Sequence, residues 1–522
     1  NAAAWFNLGA AQAGLHDAAS AETAYRKAIA LRPGYAEAWS NLGGVLSGAG
    51  RRAEALAAYQ QGIAANDRLA PIWSNLSNAL CAAGRHAEAE SAARNALQLD
   101  PGFVAAWVNL GRALHAARRF DEARAACERA LELSPALPDS WAGLANAWMG
   151  QRQSERAIAA FGQAIALQPR NPDYHANLAV ALHRTGQEKE ARESMRRALA
   201  LEPDHAFALW TLAGWLIEQG EYAEGWRHYE ARWRLPDAPP RRYAPKGGKP
   251  ERGRALVWAE QGVGDEILYS VLAAELAHRG VEATLEADAR LAPLFRRSFP
   301  QLSVQPRREP PALDPGDFDH VLPLASLGQH LRASREAFIP HRGYLVADAA
   351  RAAAYRAMLP RERLLVGLAW RSRNPELGAE KSAPLAAWGP ILAVAGAAFV
   401  NLQYGDVQAE CEEAERRFNV RIAHVPQLDL HDDLDGLAAL QSACDLVITT
   451  SNVCAHVTGA LGRPGWVLLP GRIGRIWYWG QEGETTPWYP SLALIAQRRD
   501  GDWASAIEPA AQRLRAMLAR AP

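Results

Sequence analysis

The sequence predicts two architectures in series: an α-helical solenoid over residues 1–235 and an α/β region, built as two halves, over residues 253–522, with a linker over 236–252. Three observations carry that expectation. A leucine recurs at Leu8, Leu42, Leu76, Leu110, Leu144, Leu178 and Leu212, always 34 residues apart. From Pro236 to Arg254 the composition turns to proline, glycine and arginine, the mark of an irregular connector. Beyond it, short β-rich runs alternate with helical patterns, as in parallel sheets whose strands are joined by helices.

Three residues before the repeated leucine stand Trp5, Trp39, Trp73, Trp107 and Trp141, and thirteen after it Ala21, Ala55, Ala89, Ala123, Ala157 and Ala191. Prolines close several units, at Pro33, Pro101, Pro169 and Pro203. Seven helix–turn–helix units with these markers form the tetratricopeptide pattern. Each helix pair of such a solenoid buries its apolar face only against its neighbours, so small alanines are needed where helices cross and the tryptophans belong to the core. The seventh unit departs from the pattern. Gly225 replaces the packing alanine, and Arg232 stands where the other units carry alanine or glycine, as expected where a solenoid caps or docks onto another domain.

One column is not explained by packing. The residue before the leucine is Asn7, Asn41, Asn75, Asn109 and Asn177 in five of the seven units, and asparagine is a middling helix former. Carboxamides stacked on a concave face can hydrogen-bond the backbone of an extended peptide whatever its side chains; the alternative is a consensus residue facing water. The column is similar to the asparagine ladder of O-linked N-acetylglucosamine transferases, which implies that these five residues hold an acceptor protein.

Composition narrows the classes. With 522 residues the chain has room for roughly three to four domains. Fifty-seven basic residues balance 57 acidic ones, which argues against nucleic acid and anionic membranes as bulk partners. No apolar run approaches the roughly 18 residues of a membrane helix, so no membrane span is expected. The five cysteines show no C-x-x-C spacing, which argues against a disulfide framework or a zinc knuckle and points to a reducing, cytoplasmic setting. Asn1 lies inside a repeat, so an upstream segment is expected. Only five lysines stand beside 52 arginines.

In the first α/β half, a strand at Ala255–Ala259 runs into Glu260-Gln261-Gly262-Val263-Gly264-Asp265-Glu266 and a helix through Leu276, the opening of a nucleotide fold. The third glycine of a dinucleotide fingerprint is missing, which argues against NAD. Asp265, at a helix N-terminus, reads as an N-cap or, with its anion stabilised and its pKa lowered there, as a modest base for a hydroxyl, with Glu260 and Glu266 as alternatives. Further strands are expected at Ala283–Ala287, Leu302–Gln305 and His320–Leu324. Asp317-Phe318-Asp319 has a D-x-D spelling but sits among prolines and reads as a surface loop; no metal is expected.

In the second half, a helix at Asp348–Met358 precedes a strand at Leu364–Trp370. Arg371 and Arg373 follow at its carboxyl end, where guanidinium groups give bidentate phosphate contacts. The loop Pro375–Glu380 leads to Lys381, the only lysine after Lys249 and a compact cation suited to phosphate. A strand at Phe399–Leu402 ends in Gln403-Tyr404-Gly405-Asp406, an edge suited to a base or ribose. Asp429, His431, Asp432, Asp433 and Asp435 precede the helix Leu437–Cys444 and read as caps rather than metal ligands. Next comes the strand Leu446–Ile448, with Thr449, Thr450, Ser451 and Asn452 at its end. Behind them a helix Val453–Leu461 carries His456 in its first turn, and the strand Trp466–Leu469 follows. A helix N-terminus at the carboxyl end of a strand offers N–H groups to phosphate. The aromatic loop Trp477-Tyr478-Trp479 and Pro487-Trp488-Tyr489-Pro490 precede a last strand, Leu492–Ala496.

The residues Ala455-His456, Gly459-Ala460-Leu461-Gly462, Pro464 and Trp466–Pro470 resemble the C-terminal half of heptosyltransferase-like glycosyltransferases, and Gly264-Asp265 coincides with a motif of their N-terminal strand. The resemblance covers residues 253–522 and implies the GT-B fold, two Rossmann-like domains facing a cleft. It places the acceptor on residues 253–350 and a nucleotide-sugar donor on 351–522. It also implies Asp265 as the catalytic base and Gly264, Arg371, Lys381, Gln403, Ser451, Asn452 and His456 as donor ligands. One departure bears on the sugar: Ser451 stands where the family commonly carries an acidic residue. Bacterial fusions of tetratricopeptides to such transferases share the PWYP segment, and flagellin is among their acceptors. The expected function is an inverting, metal-independent transfer of sugar to a protein hydroxyl, with no cofactor beyond the nucleotide-sugar. The alternatives are a transferase acting on a lipopolysaccharide-type glycan and a scaffold with an inactive transferase domain.

Overall fold

The computed structural model describes residues 1–235, 238–360, 363–374, 377–480 and 483–520. The first two residues of the expected linker and of the Pro375–Glu380 loop lie outside them. Packing divides the chain into two compact units, Asn1–Ala208 with Arg234–Ala238, and Leu209–Trp233 with Pro239–Pro522.

The first unit is the solenoid. Helices of 13 and 14 residues alternate, from Ala2–Gly14 and Ala18–Leu31 to Pro172–Arg184 and Glu188–Leu201. Ala21, Ala55, Ala89, Ala123, Ala157 and Ala191 are all buried at the helix crossings. The tryptophans are only partly buried. Trp39, Trp73, Trp107 and Trp141 each donate their indole N–H to the carbonyl six residues earlier, at 2.7–3.0 Å, which fastens the turn between units. His175 takes the same place against the Pro169 carbonyl at 2.9 Å. The core reading of the tryptophans therefore misses half of their work: the ring packs while the N–H satisfies a turn carbonyl.

The second unit starts earlier than the boundary at residue 235. Leu209–Trp233 groups with it because the helix Tyr222–Tyr229 buries its aromatic face there. The Trp226 ring lies edge-on to Tyr269, Trp477 and Trp488, and it fills the space where a Cβ on Gly328 would come within 2.6 Å.

Two parallel sheets follow. The first has β1 (Arg254–Trp258), β2 (Glu282–Ala287), β3 (Ser303–Pro306) and β4 (His320–Pro323), ordered β3-β2-β1-β4. The second has β5 (Leu364–Ala369), β6 (Ala397–Asn401), β7 (Ile422–Ala423), β8 (Leu446–Thr450), β9 (Gly465–Leu469) and β10 (Leu492–Ala496), ordered β10-β9-β8-β5-β6-β7. That is the strand order of a doubly wound α/β sheet. The order reverses between β1 and β4 in the first sheet and between β5 and β8 in the second, so each sheet opens a crevice beyond the carboxyl ends of those strands. The central strands β5 and β8 are buried on both faces, as expected of a parallel sheet covered by helices. The helix Gln408–Phe418, the two-residue strand β7 and the last helix Ala504–Arg520 were not anticipated. No described helix is long and apolar enough to cross a membrane.

Candidate functional site

The site lies in the second unit, where the two crevices are brought together by the helix Val263–His278 packing on the helix Val453–Ala460. Their close approach depends on Gly264, since a Cβ there would stand 2.8 Å from His456 Cδ2. One turn of chain links the end of β1 to this helix, and the Asp265 N–H closes on the Gly262 carbonyl at 2.9 Å. Asp265 is partly accessible, with Tyr229, Tyr269, Tyr478 and Tyr489 in electrostatic range. Burial pushes it up to about 6, against the opposing pull of the Lys381 ammonium, so desolvation overrides the lowering expected at a helix N-terminus.

Lys381 is the other half of this arrangement. Its side chain is 4% exposed, burial brings it down to about 8, and Asp265 and Glu380 hold its charge. Among the described residues no hydrogen bond closes on its ammonium, which is not fully buried and keeps some contact with solvent. A cation on a buried side chain, left short of acceptors, is poised for an anion.

The β5–β8 crevice is built by buried amides. Gln403 Oε1 accepts from the N–H groups of Trp370 and Arg371 at 3.0 and 2.7 Å, and pins the end of β5 to the end of β6. Asn452 caps the helix Val453–Ala460 through Cys454 N at 2.9 Å, and donates to the Arg371 carbonyl at 3.1 Å. Gln403 and Asn452 thus act on the backbone that carries Arg371. The Arg371 guanidinium lies 3.3 Å from Glu410 and stays partly accessible. Ser451 Oγ accepts the Trp479 indole N–H at 2.9 Å, and its own proton has no acceptor among the described residues.

His456 sits differently from the phosphate contact that the resemblance implies. Its Nδ1 lies 3.0 Å from the Tyr489 hydroxyl and its Nε2 3.3 Å from the Tyr478 hydroxyl, so both ring nitrogens have partners. Burial, with the Lys381 charge in range, drives it down to about 3 and keeps it neutral. It is a wedge between the two helices. The two tyrosines come from the aromatic loop and the PWYP segment; the sequence flags them only as dense aromatics.

Beside Gln403 opens a cavity of about 430 Å³, lined by Tyr404, Gly405, His424, Leu428 and His431 among others. Arg373 covers the Tyr404 ring at 5.5 Å, and the Tyr404 and His431 rings stand 5.7 Å apart. Gly405, at φ +91°, leaves room for the Arg373 guanidinium that a Cβ would meet at 2.5 Å.

Elsewhere the acids serve the fold. Asp319 accepts the Arg254 N–H at 2.8 Å, Asp433 caps the helix Leu434–Ala443 through Gly436 N at 2.7 Å, and Asp435 pairs with Arg297. Glu266 is buried between Arg307 and the Asp288 N–H, and burial pushes it up to about 7.

In the solenoid four of the five asparagine amides are engaged within the repeats. Asn41 donates to the Tyr25 hydroxyl, Asn75 to Ser40 Oγ, Asn109 to the Ser74 carbonyl and hydroxyl, and Asn177 to the Asp173 carbonyl, at 2.9–3.3 Å. Asn7 and Asn75 are exposed, whereas Asn109 is buried.

The fold and these contacts define a protein with tetratricopeptide repeats followed by an α/β unit. Residues 6–71, 74–138 and 143–206 match the family model of the tetratricopeptide repeat. Beyond the class, the chain is 34% identical over 344 residues to Protein FlbA of Caulobacter vibrioides, over 60% of this chain and 55% of that protein. It therefore spans about half the length of the curated relative it matches. Among solved structures, a thermophilic tetratricopeptide protein of Thermus thermophilus aligns with TM-score 0.32 and 22% identity, over 35% of this chain and all of that one. A tetratricopeptide repeat protein from Parabacteroides merdae aligns with TM-score 0.38 and 16% identity, over 44% of this chain and 91% of that one.

Proposed function

We propose that the second unit is a glycosyltransferase of GT-B type, inverting and metal-independent, and that it transfers a sugar from a nucleotide donor to a hydroxyl of a protein held by the repeats. Asp265 takes the proton of the acceptor hydroxyl as its oxygen attacks the anomeric carbon. The bond from that carbon to the phosphate oxygen breaks, and the nucleotide leaves with the electron pair. Lys381, Arg371 and the Ser451 hydroxyl at the helix N-terminus stabilise the departing phosphate. Gln403 and Asn452 hold the backbone of that site, His456 holds the two helices together at Gly264, and the cavity at Tyr404 receives the nucleoside.

The observation that carries this reading is the buried Lys381 side chain, whose ammonium has no hydrogen-bond partner among the described residues and lies in electrostatic range of Asp265. A base whose ordinary range is raised to about 6 by burial is better matched to a hydroxyl proton than an exposed aspartate. On the repeat side, Asn7, Asn41, Asn75, Asn109 and Asn177 are the proposed acceptor ladder, with flagellin the first acceptor to test.

The test is thermal stabilisation of the whole chain by UDP, GDP, ADP, CMP and TDP. A nucleotide at one hundred times its dissociation constant stabilises by about 2.7 kcal/mol. One responding nucleotide, its effect lost in Lys381→Ala, supports a working donor site. Silence across the panel, with a peptide still bound by the repeats, transfers the function to a scaffold.

A further inference from the structure

The tetratricopeptide pattern places alanine or glycine at the position of Arg232, yet the structure buries this guanidinium. Taking an arginine out of water costs several kcal/mol unless its hydrogens are matched. Here the two terminal nitrogens are matched, while the buried Nε–H has no hydrogen-bond partner among the described residues. Nη1 donates to Glu230 at 2.7 Å, and Nη2 donates to Ser326 Oγ at 2.8 Å and to Glu260 Oε1 at 3.0 Å, while the plane lies 4.8 Å from both the Tyr229 and the Trp233 rings. A site that needed only volume would be filled by an apolar side chain.

What Arg232 holds is the start of the turn that leads to Asp265. Glu260 follows the end of β1, and its second oxygen accepts the Leu324 N–H beyond β4 at 3.1 Å, so one carboxylate bridges the two strands of the crevice. Next in the chain, Gln261 donates to the Tyr229 hydroxyl at 2.8 Å. Gly262 then caps the helix whose first turn carries Asp265. Glu260 and Gln261 are therefore tied to the same short segment, Tyr229–Arg232, and Asp265 lies three residues beyond Gly262.

We propose that Arg232 is a positioning residue for Asp265: by fixing Glu260 at the β1–β4 crevice it sets the Gln261–Gly264 turn, and with it the direction of the acceptor base. This rests on the reading of Asp265 as the base. Arg232 itself touches no reacting atom.

The test compares the full chain with Arg232→Met and with the charge-free pair Arg232→Met/Glu260→Gln. The first readout needs no substrate. Amide hydrogen exchange over Gly262–Glu266 should speed up about tenfold or more in the single variant, with β5 and β8 unchanged, and return towards wild type in the pair. The second readout is nucleotide release from a nucleotide-sugar of the class that stabilises the wild type. In the single variant kcat should fall about tenfold or more with the donor KM unchanged, and the pair should recover most of it. Unchanged exchange in the single variant overturns the proposal, as does faster exchange spread over both sheets, which marks a residue of general stability. Unchanged kcat in an active wild type overturns it as well. Local loosening that the pair reverses, in a protein whose wild type releases no nucleotide, sustains the positioning role and removes the glycosyltransferase reading instead.

Discussion

The two units handle charge in opposite ways. In the solenoid, Arg51, Arg85 and Arg119 each meet a glutamate three residues on at 2.5–2.6 Å, with both partners about half exposed. Arg51 and Arg119 also reach back to Glu22 and Glu90 of the preceding unit at 2.7 Å. In the α/β unit the ions are taken inside: Arg232 with Glu260, Arg242 with Glu286, Arg332 with Glu275, and Lys381 near Asp265. Exposed pairs in water contribute about 0–1 kcal/mol, whereas stripping one partner from a buried pair costs about 3–5 kcal/mol. A repeat array can be stabilised by alanine packing alone and wears its charges as a solvated coat. The α/β unit carries charges that destabilise it unless each is matched, and a fold keeps such groups where chemistry or geometry requires them.

The sharpest attack on that contrast is at the site. Asp265→Asn should lower sugar transfer by about 10²–10⁴-fold, the usual worth of a general base, while nucleotide-dependent stabilisation persists. Lys381→Ala should lose both. Equal activity in Asp265→Asn would show that the buried carboxylate is not the base.

Breaking a structural pair comes next. Glu286 is buried against Arg242 Nε at 2.6 Å and the Tyr243 hydroxyl at 3.1 Å. Glu286→Ala should cost up to about 3 kcal/mol in urea unfolding, because the Arg242 guanidinium then keeps only the exposed Glu309 carboxylate and the Arg308 carbonyl as partners. A loss below about 1 kcal/mol would place this pair with the surface ones.

Two pH dependences follow from the same burial. Asp265 must be ionised to accept a proton and Lys381 protonated to hold phosphate, so kcat/KM should fall below about pH 6 and above about pH 8. A flat profile across that range would remove one or both from the reaction. His456 acts on stability. Its folded value, near 3, lies below that of an unfolded histidine, so its contribution is complete above about pH 6.5 and is lost as the pH falls, because only the unfolded chain takes the proton. The loss amounts to roughly 2 kcal/mol at pH 5, and it should be absent from the same unfolding titration of His456→Phe.

The smallest effect belongs to the solenoid. Arg85→Ala removes the exposed pair with Glu88 and should change stability by less than about 1 kcal/mol, falling further in high salt. A larger loss would mean that the outer ion pairs support the array rather than coat it.

Much of the fold was legible because it rests on local periodicity. The 34-residue leucine and alanine columns give the helix pairs, and the strands Leu446–Thr450, Gly465–Leu469 and Leu492–Ala496 lie within two residues of their expected bounds. The missed elements are the ones periodicity cannot mark: β7 has two residues, and Gln408–Phe418 is mostly charged. Of the candidate site residues, Arg371, Ser451 and Asn452 could be named from turns at strand ends, and Asp265 and Lys381 from the resemblance to heptosyltransferases. The engagement of both His456 nitrogens by Tyr478 and Tyr489 could not, because those tyrosines lie 22 and 33 residues further along the chain.

By itself, the sequence determined the period of the repeats, the alternation of strands and helices, and which turns carry polar residues, since each depends on neighbours a few positions apart. Only the tertiary structure decided that the seam falls near residue 209, that Arg232 reaches Glu260, and that Lys381 and Asp265 come within electrostatic range of each other. Those outcomes depend on desolvation, which is set by whatever else packs around a group and has no signature in the local pattern. An arginine spelled among alanines is an exception in the sequence; its burial against a glutamate of another element gives it a role.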